Sequence, residues 1–473
     1  MAGRETIKNL RKERTFQRCV FYDVKGKRLN IMLIDIVLGH AEGKGGLEDV
    51  LTTVVNGLVS KGHRIRVLQT HAPKFESWAD TIPEIYYYGQ EGKVEEETVS
   101  SMQTGYTNFL KSAELPDVII ATHAPILSYI CRTAIARFKP ETPVVSWLHG
   151  PPAYFGGGKF LKYSDAHFAI SSSIGRTIKD IAEEQPIYLV NNPVDINQNE
   201  IIRPNALKII FIGRLSNKEK RLDLLLKALE GVEDKWSLTC IGDGPDKNKL
   251  YELADELHIN KRITWLGWKE APWDEIDEAS VLVLPSDIEG FGLVLVEALS
   301  RGVAVISTDC DGPIDIVKNG INGWIVPKGD INKLKDLLNA IQTGKVTLPN
   351  AQQCVNSVLE YEADRVVEKL NNILNVIKND GFTLNEKVVN ESQLDDVVTC
   401  KFIIEDIYPK LVEKLLSGES SFNWYDMKID IINYSYTRAI IRFSYRKDSH
   451  DSIEEVRVKI VNESGTWQVK RIF

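Results

Sequence analysis

The sequence lacks long apolar runs and contains few cysteines. No apolar stretch approaches the roughly 20 residues that a transmembrane helix requires. The first residues, Met-Ala-Gly-Arg-Glu-Thr-Ile-Lys, lack the apolar centre of a secretion signal, so we expect no signal peptide. The six cysteines are scattered, and no pair has the spacing of metal ligands. These absences predict reduced thiols and a cytosolic protein.

The chain has no excess of positive charge, because 66 Asp and Glu outnumber 58 Lys and Arg and the formal net charge is −8. That balance argues against non-specific binding to nucleic acid. Residues 1–29 are the exception, since nine Lys or Arg against three Asp or Glu give this segment a charge of +6. Two interpretations of this basic extension are open: a solvated, partly helical segment, or peripheral contact with the anionic inner face of a membrane.

Apolar runs of strand length alternate with helical patterns between residues 30 and 378, which is typical of doubly wound α/β sheets. At 473 residues the chain is too long for one core, and about three domains are expected. The predicted strands of a first sheet are 29–38, 64–69, 117–122, 143–149 and 166–170. Those of a second sheet are 207–216, 236–241, 263–268, 280–285, 303–308 and 323–327. The sequence therefore predicts two Rossmann-like domains, residues 30–190 and 191–378.

The segment 287–302 is the most informative one. It follows the apolar run 280–285 and begins with Gly290-Phe291-Gly292, where a helical pattern starts. Glu289 is then at the carboxyl end of a strand, and Glu297 follows eight residues later, within the helix. The backbone N–H groups of a helix start can bind an anion, so two carboxylates can flank a phosphate-bearing ligand. The alternative is two solvated glutamates on an ordinary βα turn.

These residues resemble the donor-sugar motif of retaining glycosyltransferases with the GT-B fold, in the large family 4 (glycosyl transferases group 1). Three other family segments occur in the family's order: a Gly-Gly pair in the first βα loop, an Asn-Pro-Val-Asp segment at 192–195, and Gly-Arg-Leu at 213–215 followed by Lys220. The resemblance covers about residues 30–378. It implies an acceptor-binding first domain, a donor-binding second domain, and terminal helices at 350–378 that cross back onto the first domain.

The resemblance implies a role for each of four charged side chains. Glu289 would hydrogen-bond hydroxyl groups of the donor sugar, and Glu297 would accept hydrogen bonds from the ribose hydroxyls. Arg214 and Lys220 would neutralise the diphosphate as the glycosidic bond breaks. One extra residue separates these two cations relative to the family, so Lys218 is an alternative to Lys220.

Further positions are implied to surround the donor. The implied donor-binding positions are Gly45, Gly46, Gly290, Phe291, Gly292, Leu293, Leu266 and Trp268. Trp268 has a packing role as its alternative. His149, at the end of a predicted strand, is implied to contact the donor sugar or shape the reaction centre, and a structural, hydrogen-bonded histidine is the alternative. His123 is a second histidine candidate.

No metal or cofactor is predicted. Asp309-Cys310-Asp311 matches the Asp-x-Asp that binds a divalent ion in glycosyltransferases of the other major fold. We reject that interpretation, because the pair follows a strand inside a GT-B pattern and Arg and Lys take the phosphate charge. The segment 312–315, Gly-Pro-Ile-Asp, resembles the subset that builds lipopolysaccharide-core and related cell-surface sugars.

Residues 380–473 lie outside the resemblance to family 4. A helical pattern at 393–416 precedes strand-like runs at 424–433, 437–446, 454–461 and 466–473. Period-two alternation predicts a half-buried antiparallel sheet and thus a small α+β domain. This arrangement resembles the nuclear-transport-factor-2-like group. Acceptor binding, self-association into a homo-oligomer and an inert appendage are all open roles.

The resemblance implies a metal-independent, retaining transfer of a hexose or N-acetylhexosamine from a nucleotide sugar. The expected donor is a UDP-sugar. The expected acceptor is a bacterial cell-surface glycan, a glycolipid or a teichoic-acid-type polymer. Alternatives on the same scaffold are a nucleotide-sugar epimerase, a sugar phosphorylase and a non-catalytic nucleotide-binding scaffold. No segment suggests the pyridoxal lysine of a phosphorylase.

Overall fold

The structure is a computed structural model that describes residues 31–89, 94, 97–196, 198–233 and 235–380, together with four strands between 425 and 472. The basic extension 1–29 and the predicted helix 393–416 lie outside the described residues.

The first domain contains a parallel sheet of seven described strands in the order β3-β2-β1-β4-β5-β6-β7. The strands are β1 Leu33–Val37, β2 Arg64–Gln69, β3 Ile85–Tyr87, β4 Val118–Thr122, β5 Val144–Leu148, β6 Ala166–Ala169 and β7 Ile187–Leu189. The five predicted strands are confirmed, although the first begins four residues later than predicted. The strands β3 and β7 were not predicted, because three residues are too few to show a period.

Helices connect these strands and cover both faces of the sheet. They are α1 Gly46–Ser60, α2 Glu76–Ala79, α3 Val99–Ser112, α4 Ile126–Ile135, α5 Pro152–Phe155 and α6 Ser172–Ile181, with a 3₁₀ helix at Gly158–Tyr163. Helix α1 shows why the sequence folds in this way. Its buried residues Val50, Leu51, Val54, Val55 and Leu58 recur at helical spacing and form one apolar face.

The second domain contains six described parallel strands in the order β10-β9-β8-β11-β12-β13. The strands are β8 Leu207–Ile212, β9 Trp236–Ile241, β10 Ile263–Gly267, β11 Val281–Leu284, β12 Ala304–Thr308 and β13 Gly323–Val326. In chain order this is 3-2-1-4-5-6, the Rossmann arrangement. All four residues of β11 are buried, as expected for a parallel strand covered on both faces.

The helices of the second domain complete the doubly wound pattern. They are α7 Leu222–Glu230, α8 Lys247–Glu256, α9 Leu293–Ser300, α10 Pro313–Ile316, α11 Ile331–Gln342, α12 Ala351–Asn356 and α13 Ala363–Asp380. Short 3₁₀ helices occupy Asn260–Arg262, Pro272–Glu275 and Leu359–Tyr361. None of the described helices is long and apolar enough to cross a membrane.

The last helix, α13, returns to the first domain, as predicted. A Cβ at Gly57 of α1 would lie 2.7 Å from the Val367 side chain, so α1 and α13 pack closely. Nε2 of His63 lies 2.7 Å from Oδ1 of Asn371, and Nζ of Lys378 donates to the Ile31 carbonyl at 3.2 Å. The chain therefore passes between the domains twice.

The two crossings lie side by side. The Val194 N–H, on the outward passage, donates to the Tyr361 carbonyl at 2.8 Å. The Ala363 N–H, at the start of α13, donates to the Val194 carbonyl at 3.1 Å. A parallel bridge thus joins the outgoing and returning segments.

A four-stranded antiparallel sheet follows near the carboxyl terminus, in the order β14-β15-β16-β17. The strands are β14 Tyr425–Ser435, β15 Arg438–Arg446, β16 Glu454–Glu463 and β17 Thr466–Ile472. The predicted antiparallel sheet is therefore confirmed.

Candidate active site

The strand order of the second sheet reverses between β8 and β11, which are hydrogen-bonded neighbours. The loops after these two strands diverge to opposite faces of the sheet and leave a crevice, where doubly wound domains bind ligands. Arg214 and Lys220 lie on the loop after β8, and Glu289 lies on the loop after β11. Three of the four predicted charged residues therefore belong to this one crevice.

Lys220 and Glu289 are in direct contact. Nζ of Lys220 forms an ion pair with Oε2 of Glu289, and the two side chains are 21% and 13% exposed. The predicted phosphate-binding cation and the predicted sugar-binding carboxylate are thus brought together. Lys218 is exposed to solvent. These positions favour Lys220 over Lys218 as the second cation of the crevice.

Backbone hydrogen bonds hold the same two loops together. The Glu219 carbonyl accepts from the N–H groups of Asp287 and Ile288 at 2.8 and 3.3 Å. The Glu289 carbonyl in turn accepts from Gly312 N–H at 3.0 Å. The position of Glu289 is therefore fixed from both sides by the main chain.

Helix α9 begins at Leu293, three residues later than predicted, and Gly292 precedes it with φ of 100°. A left-handed backbone of this kind favours glycine. The first N–H groups of a helix have no intrahelical acceptor and carry the positive end of the helix dipole. Glu297 consequently lies little more than one turn inside α9, closer to the helix start than the predicted two turns.

Two glycine contacts join the first domain to this helix start. A Cβ at Gly46 would lie 2.6 Å from Cδ1 of Leu293, and a Cβ at Gly290 would lie 2.7 Å from the His149 carbonyl oxygen. A larger side chain at Gly290 would clash with the main chain of His149. Gly45, with φ of 141°, is exposed beside Gly46. Of the predicted glycines, Gly46 and Gly290 therefore lie where the two domains meet.

Glu297 is partly buried and hydrogen-bonded. Its Oε2 accepts from Nε1 of Trp273 at 2.7 Å, and burial raises the pKa of Glu297 above its ordinary value. Asp49, in the first turn of α1, was not predicted to take part. Partial removal from water, the nearby Glu297 and then Glu48 raise the pKa of Asp49 to about 6. The first domain thus contributes a carboxylate to the predicted ribose position.

Trp268 follows β10 and is 45% exposed, which does not fit the alternative of a core packing role. Nζ of Lys44, in the first domain, lies 3.6 Å from the centroid of the Trp268 ring. This distance and geometry are those of a cation–π contact across the two domains. Leu266, the other predicted base contact, is half-buried, and its side chain packs against the core.

His149 follows β5, and its ring lies against Trp147 in a tilted arrangement, with 4.5 Å between the ring centroids. Its buried Nε2 has no hydrogen-bond partner among the described residues, which does not fit the alternative of a structural, hydrogen-bonded histidine. Burial, with a smaller effect of His123, lowers the pKa of His149 to about 3, so the ring is neutral near pH 7. His123 has φ of 84° and lies 4.9 Å from the Phe155 ring.

Arg214 is exposed, and no ion pair or side-chain hydrogen bond occupies it within the described part of the chain. Its guanidinium is therefore available to a ligand.

Asp309 and Asp311 are both engaged by protein donors, since Lys328 N–H donates to Asp309 at 2.9 Å and the Ser173 hydroxyl donates to Asp311. In the described residues no group of three or more His, Cys, Asp or Glu could hold a metal ion.

Comparison with known proteins places this geometry in a family. Residues 44–198 match the family described as Glycosyltransferase Family 4, and residues 195–356 match Glycosyl transferases group 1. The chain is 31% identical over 269 residues to the lipopolysaccharide 1,6-galactosyltransferase of Escherichia coli K12, covering 55% of this chain and 74% of that protein. The Salmonella typhimurium enzyme of the same name is 33% identical over 251 residues, covering 51% and 69%.

The chain belongs to the group 1 glycosyltransferases of family 4. Among solved structures, the lipopolysaccharide outer core galactosyltransferase WaaB in its apo form is 26% identical with a TM-score of 0.65, and the match covers 73% of this chain and 99% of that one. Anabaena HepE in complex with UDP-glucose, at 17% identity and a TM-score of 0.60, shares the fold over 73% and 99%. The predicted GT-B architecture is confirmed.

The glycosyltransferase also has contacts across its cleft that the sequence did not reveal. The Tyr154 hydroxyl of α5 donates to Oε1 of Glu219 at 2.8 Å. Asp315 accepts from the N–H and hydroxyl of Ser172, at the start of α6, at 2.6 and 2.5 Å. These partners are more than 60 residues apart in the chain and share no motif, so no sequence signal connects them.

Proposed function

We propose that this glycosyltransferase moves a hexose or N-acetylhexosamine from a UDP-sugar to a cell-surface glycan or glycolipid, with retention of anomeric configuration. The observation that carries the proposal is the Lys220–Glu289 pair at the crevice beside the start of α9. Relatives named lipopolysaccharide 1,6-galactosyltransferases support a cell-surface acceptor. HepE, solved with UDP and with UDP-glucose, supports a uridine nucleotide.

In the proposed donor complex, the ion pair between Lys220 and Glu289 opens, and each side chain contacts the donor instead. Lys220 moves its ammonium group to the diphosphate, where Arg214 and the N–H groups at the start of α9 join it. Glu289 turns its carboxylate to hydroxyl groups of the sugar. Fixed charges in a cleft with little water stabilise the leaving diphosphate more strongly than bulk water does.

The proposed transfer takes place on the face that the diphosphate leaves. The bond from the anomeric carbon to the phosphate oxygen breaks through an oxocarbenium-like state. The acceptor oxygen forms the new bond to that carbon, and its proton passes to the departing phosphate oxygen. The neutral ring of His149, next to Gly290, adds no charge to this centre. In this scheme two cations take the phosphate charge, and neither a metal nor a cofactor is required.

The nucleoside end of the donor is proposed to lie between Trp268 and Glu297. The exposed Trp268 ring offers a surface for the base, and Glu297 offers acceptors for the ribose hydroxyls. Asp49 would approach the same ribose from the first domain. Membrane contact through residues 1–29, cytoplasmic location and self-association through residues 380–473 stay predictions.

The test is a mass-spectrometric screen of the full-length protein against UDP-, GDP- and ADP-sugars, with and without lipopolysaccharide-core oligosaccharides. We expect release of UDP, and a product whose anomeric configuration, measured by NMR, equals that of the donor. An inverted product would exclude the retaining mechanism. Isomerised nucleotide sugar without an acceptor would show an epimerase, and binding without turnover would show a scaffold. Activity unchanged by EDTA is expected, and its loss would contradict metal independence.

A further inference from the structure

Arg221 has a backbone conformation that is unusual for its residue type. It precedes helix α7 with φ of 52° and ψ of 40°, in the left-handed region. Glycine adopts this conformation without strain, whereas a residue with a Cβ is strained there. Strain of this kind persists where the surrounding contacts fix it, and it is concentrated at functional sites. An arginine at such a position indicates that its side chain has a use.

The side chain of Arg221 joins two loops. Its Nη1 donates to Oδ2 of Asp287, on the loop after β11. Its Nε and Nη2 donate to the two carboxylate oxygens of Asp223 at 3.0 and 3.3 Å. The Arg221 side chain is 24% exposed, so these bonds are partly shielded from water. The fork geometry of an arginine fits two carboxylates in this way, and a lysine cannot reproduce it.

The ends of this bridge lie next to the residues that bind the donor. Arg221 directly follows Lys220, and Asp287 lies two residues before Glu289. The N–H groups of Lys220 and Arg221 both donate to the Ser216 carbonyl, at 2.8 and 3.2 Å. A displacement of Arg221 therefore moves Lys220, and a displacement of Asp287 moves Glu289.

Donor binding removes one of the two side-chain links between these loops. In the function proposed above, the Lys220–Glu289 ion pair opens so that each partner can contact the donor. The Arg221–Asp287 bridge is not at the phosphate or sugar position, and it persists. It then keeps the separation of Lys220 and Glu289 at the value that the leaving group and the sugar require.

We propose that Arg221, held by Asp287 and Asp223, is a positioning residue that fixes the distance between the phosphate-binding Lys220 and the sugar-binding Glu289 during transfer. The inference rests on the proposed function. Because the preorganised alignment of charged groups matters most in the transition state, the bridge acts on kcat more than on donor affinity.

The decisive variant is Arg221→Gly in the full-length protein. Glycine keeps the left-handed backbone without strain and removes the bridge, so the loop can fold as before. The matched control is Lys208→Gln. The Lys208–Glu278 ion pair joins the start of β8 to the segment before β11, which is the same pair of strands at the opposite edge of the sheet.

We expect Arg221→Gly to lower kcat by about tenfold or more, with a donor KM and a UDP dissociation constant changed less than about threefold. Its Tm should resemble that of Lys208→Gln, whose kcat stays near wild type. Asp287→Asn should reproduce the loss, and the double variant should be no worse than either single variant, because both remove the same bridge. Arg221→Lys should restore only part of the rate.

A lower Tm with wild-type kcat in Arg221→Gly would overturn the inference, since a purely structural role gives that result. Independent, multiplying losses in the double variant would overturn it as well. Failure of the proposed function would look different from failure of this inference. In that case the wild-type protein itself would neither bind UDP nor transfer sugar.

Discussion

The ammonium group of Lys220 and the carboxylate of Glu289 form an ion pair at the crevice between the loops after β8 and β11. Each group therefore has a partner before any donor arrives. Removing Glu289 should lower the transfer rate without weakening UDP binding, whereas a general loss of structure would lower both. Glu289→Ala is expected to reduce the transfer rate by about 10²-fold, because a preorganised contact to the reacting sugar is lost.

The same variant should bind UDP at least as tightly as wild type, because Lys220 no longer has a competing carboxylate. Titration calorimetry with UDP and steady-state transfer measure the two effects separately. Glu278→Ala, which breaks the distant pair with Lys208, is the control. Weaker UDP binding by Glu289→Ala would contradict the proposed exchange of partners.

Arg214 offers a guanidinium with no protein partner in the described residues. Arg214→Ala should lower the transfer rate by about 10²-fold and weaken UDP binding, because a cation that stabilises the leaving diphosphate is lost. Lys218, exposed on the same loop, is the matched control, and Lys218→Ala should stay within about threefold of wild type. A larger loss from Lys218→Ala would show that Lys218, and not Lys220, is the second phosphate-binding cation.

Nζ of Lys44 lies 3.6 Å from the centroid of the Trp268 ring, in a cation–π contact across the cleft. Stacking of a base on an aromatic ring contributes about 1–3 kcal/mol. Trp268→Ala should therefore raise the donor KM about tenfold or more with little change in kcat. Lys44→Gln should change donor KM, whereas Lys74→Gln, which contacts Phe75 and not Trp268, should not. An unchanged KM in Trp268→Ala would place the base elsewhere.

Asp49 provides a test by pH, because its pKa is raised to about 6 from an ordinary value near 3.8. A raised carboxyl pKa means that the folded state binds the proton more tightly than the unfolded state does. The resulting stability is fully present below about pH 3.8 and is lost as the pH rises through about 6.

Asp49→Asn should therefore have a higher Tm than wild type at pH 7, and the difference should vanish towards pH 4. Thermal unfolding followed by circular dichroism between pH 4 and 8 measures this. Asp80→Asn, at an exposed position of the same domain, is the control. Equal Tm values for wild type and Asp49→Asn at pH 7 would contradict the assigned electrostatic environment.

Asp315, in the second domain, accepts hydrogen bonds from the N–H and hydroxyl groups of Ser172, the first residue of helix α6 in the first domain. A hydrogen bond contributes about 1 kcal/mol to the free energy of unfolding, so Asp315→Ala should lower stability by roughly that amount. Asp330→Ala also removes a hydrogen bond to a helix start, but within the second domain, where Asp330 is the N-cap of α11. Both variants should lose similar stability, but transfer should fall only in Asp315→Ala. Equal transfer rates would show that the inter-domain bond has no functional role.

The parts of the fold that were predicted correctly depend on local pattern. The strand β11 is a continuous apolar run, and a parallel strand buried on both faces must have that composition. Glu289 was predicted from its place at the end of a strand, whereas Lys220 was implied by the resemblance to family 4. Their direct contact then follows from the strand order, in which β8 and β11 are neighbours.

The parts that were missed depend on contacts between distant segments. Trp273 lies in a four-residue 3₁₀ helix with no periodic signal, yet it donates the hydrogen bond that orients Glu297. Asp49 and Asp315 act across the cleft, and the approach of two domains has no signature within either one. The strain at Arg221 is also invisible in the sequence, because arginine is not a residue that predicts a left-handed turn.

The bridge between Val194 and Glu362 has a mechanical consequence. These two segments are hydrogen-bonded to each other and connect the same two domains, so together they form a single hinge axis. Bending about that axis leaves both bonds intact, whereas shearing one body past the other would break them. We therefore expect any opening and closing of the cleft to take place by bending about this axis, which would restore the same alignment of the two domains each time.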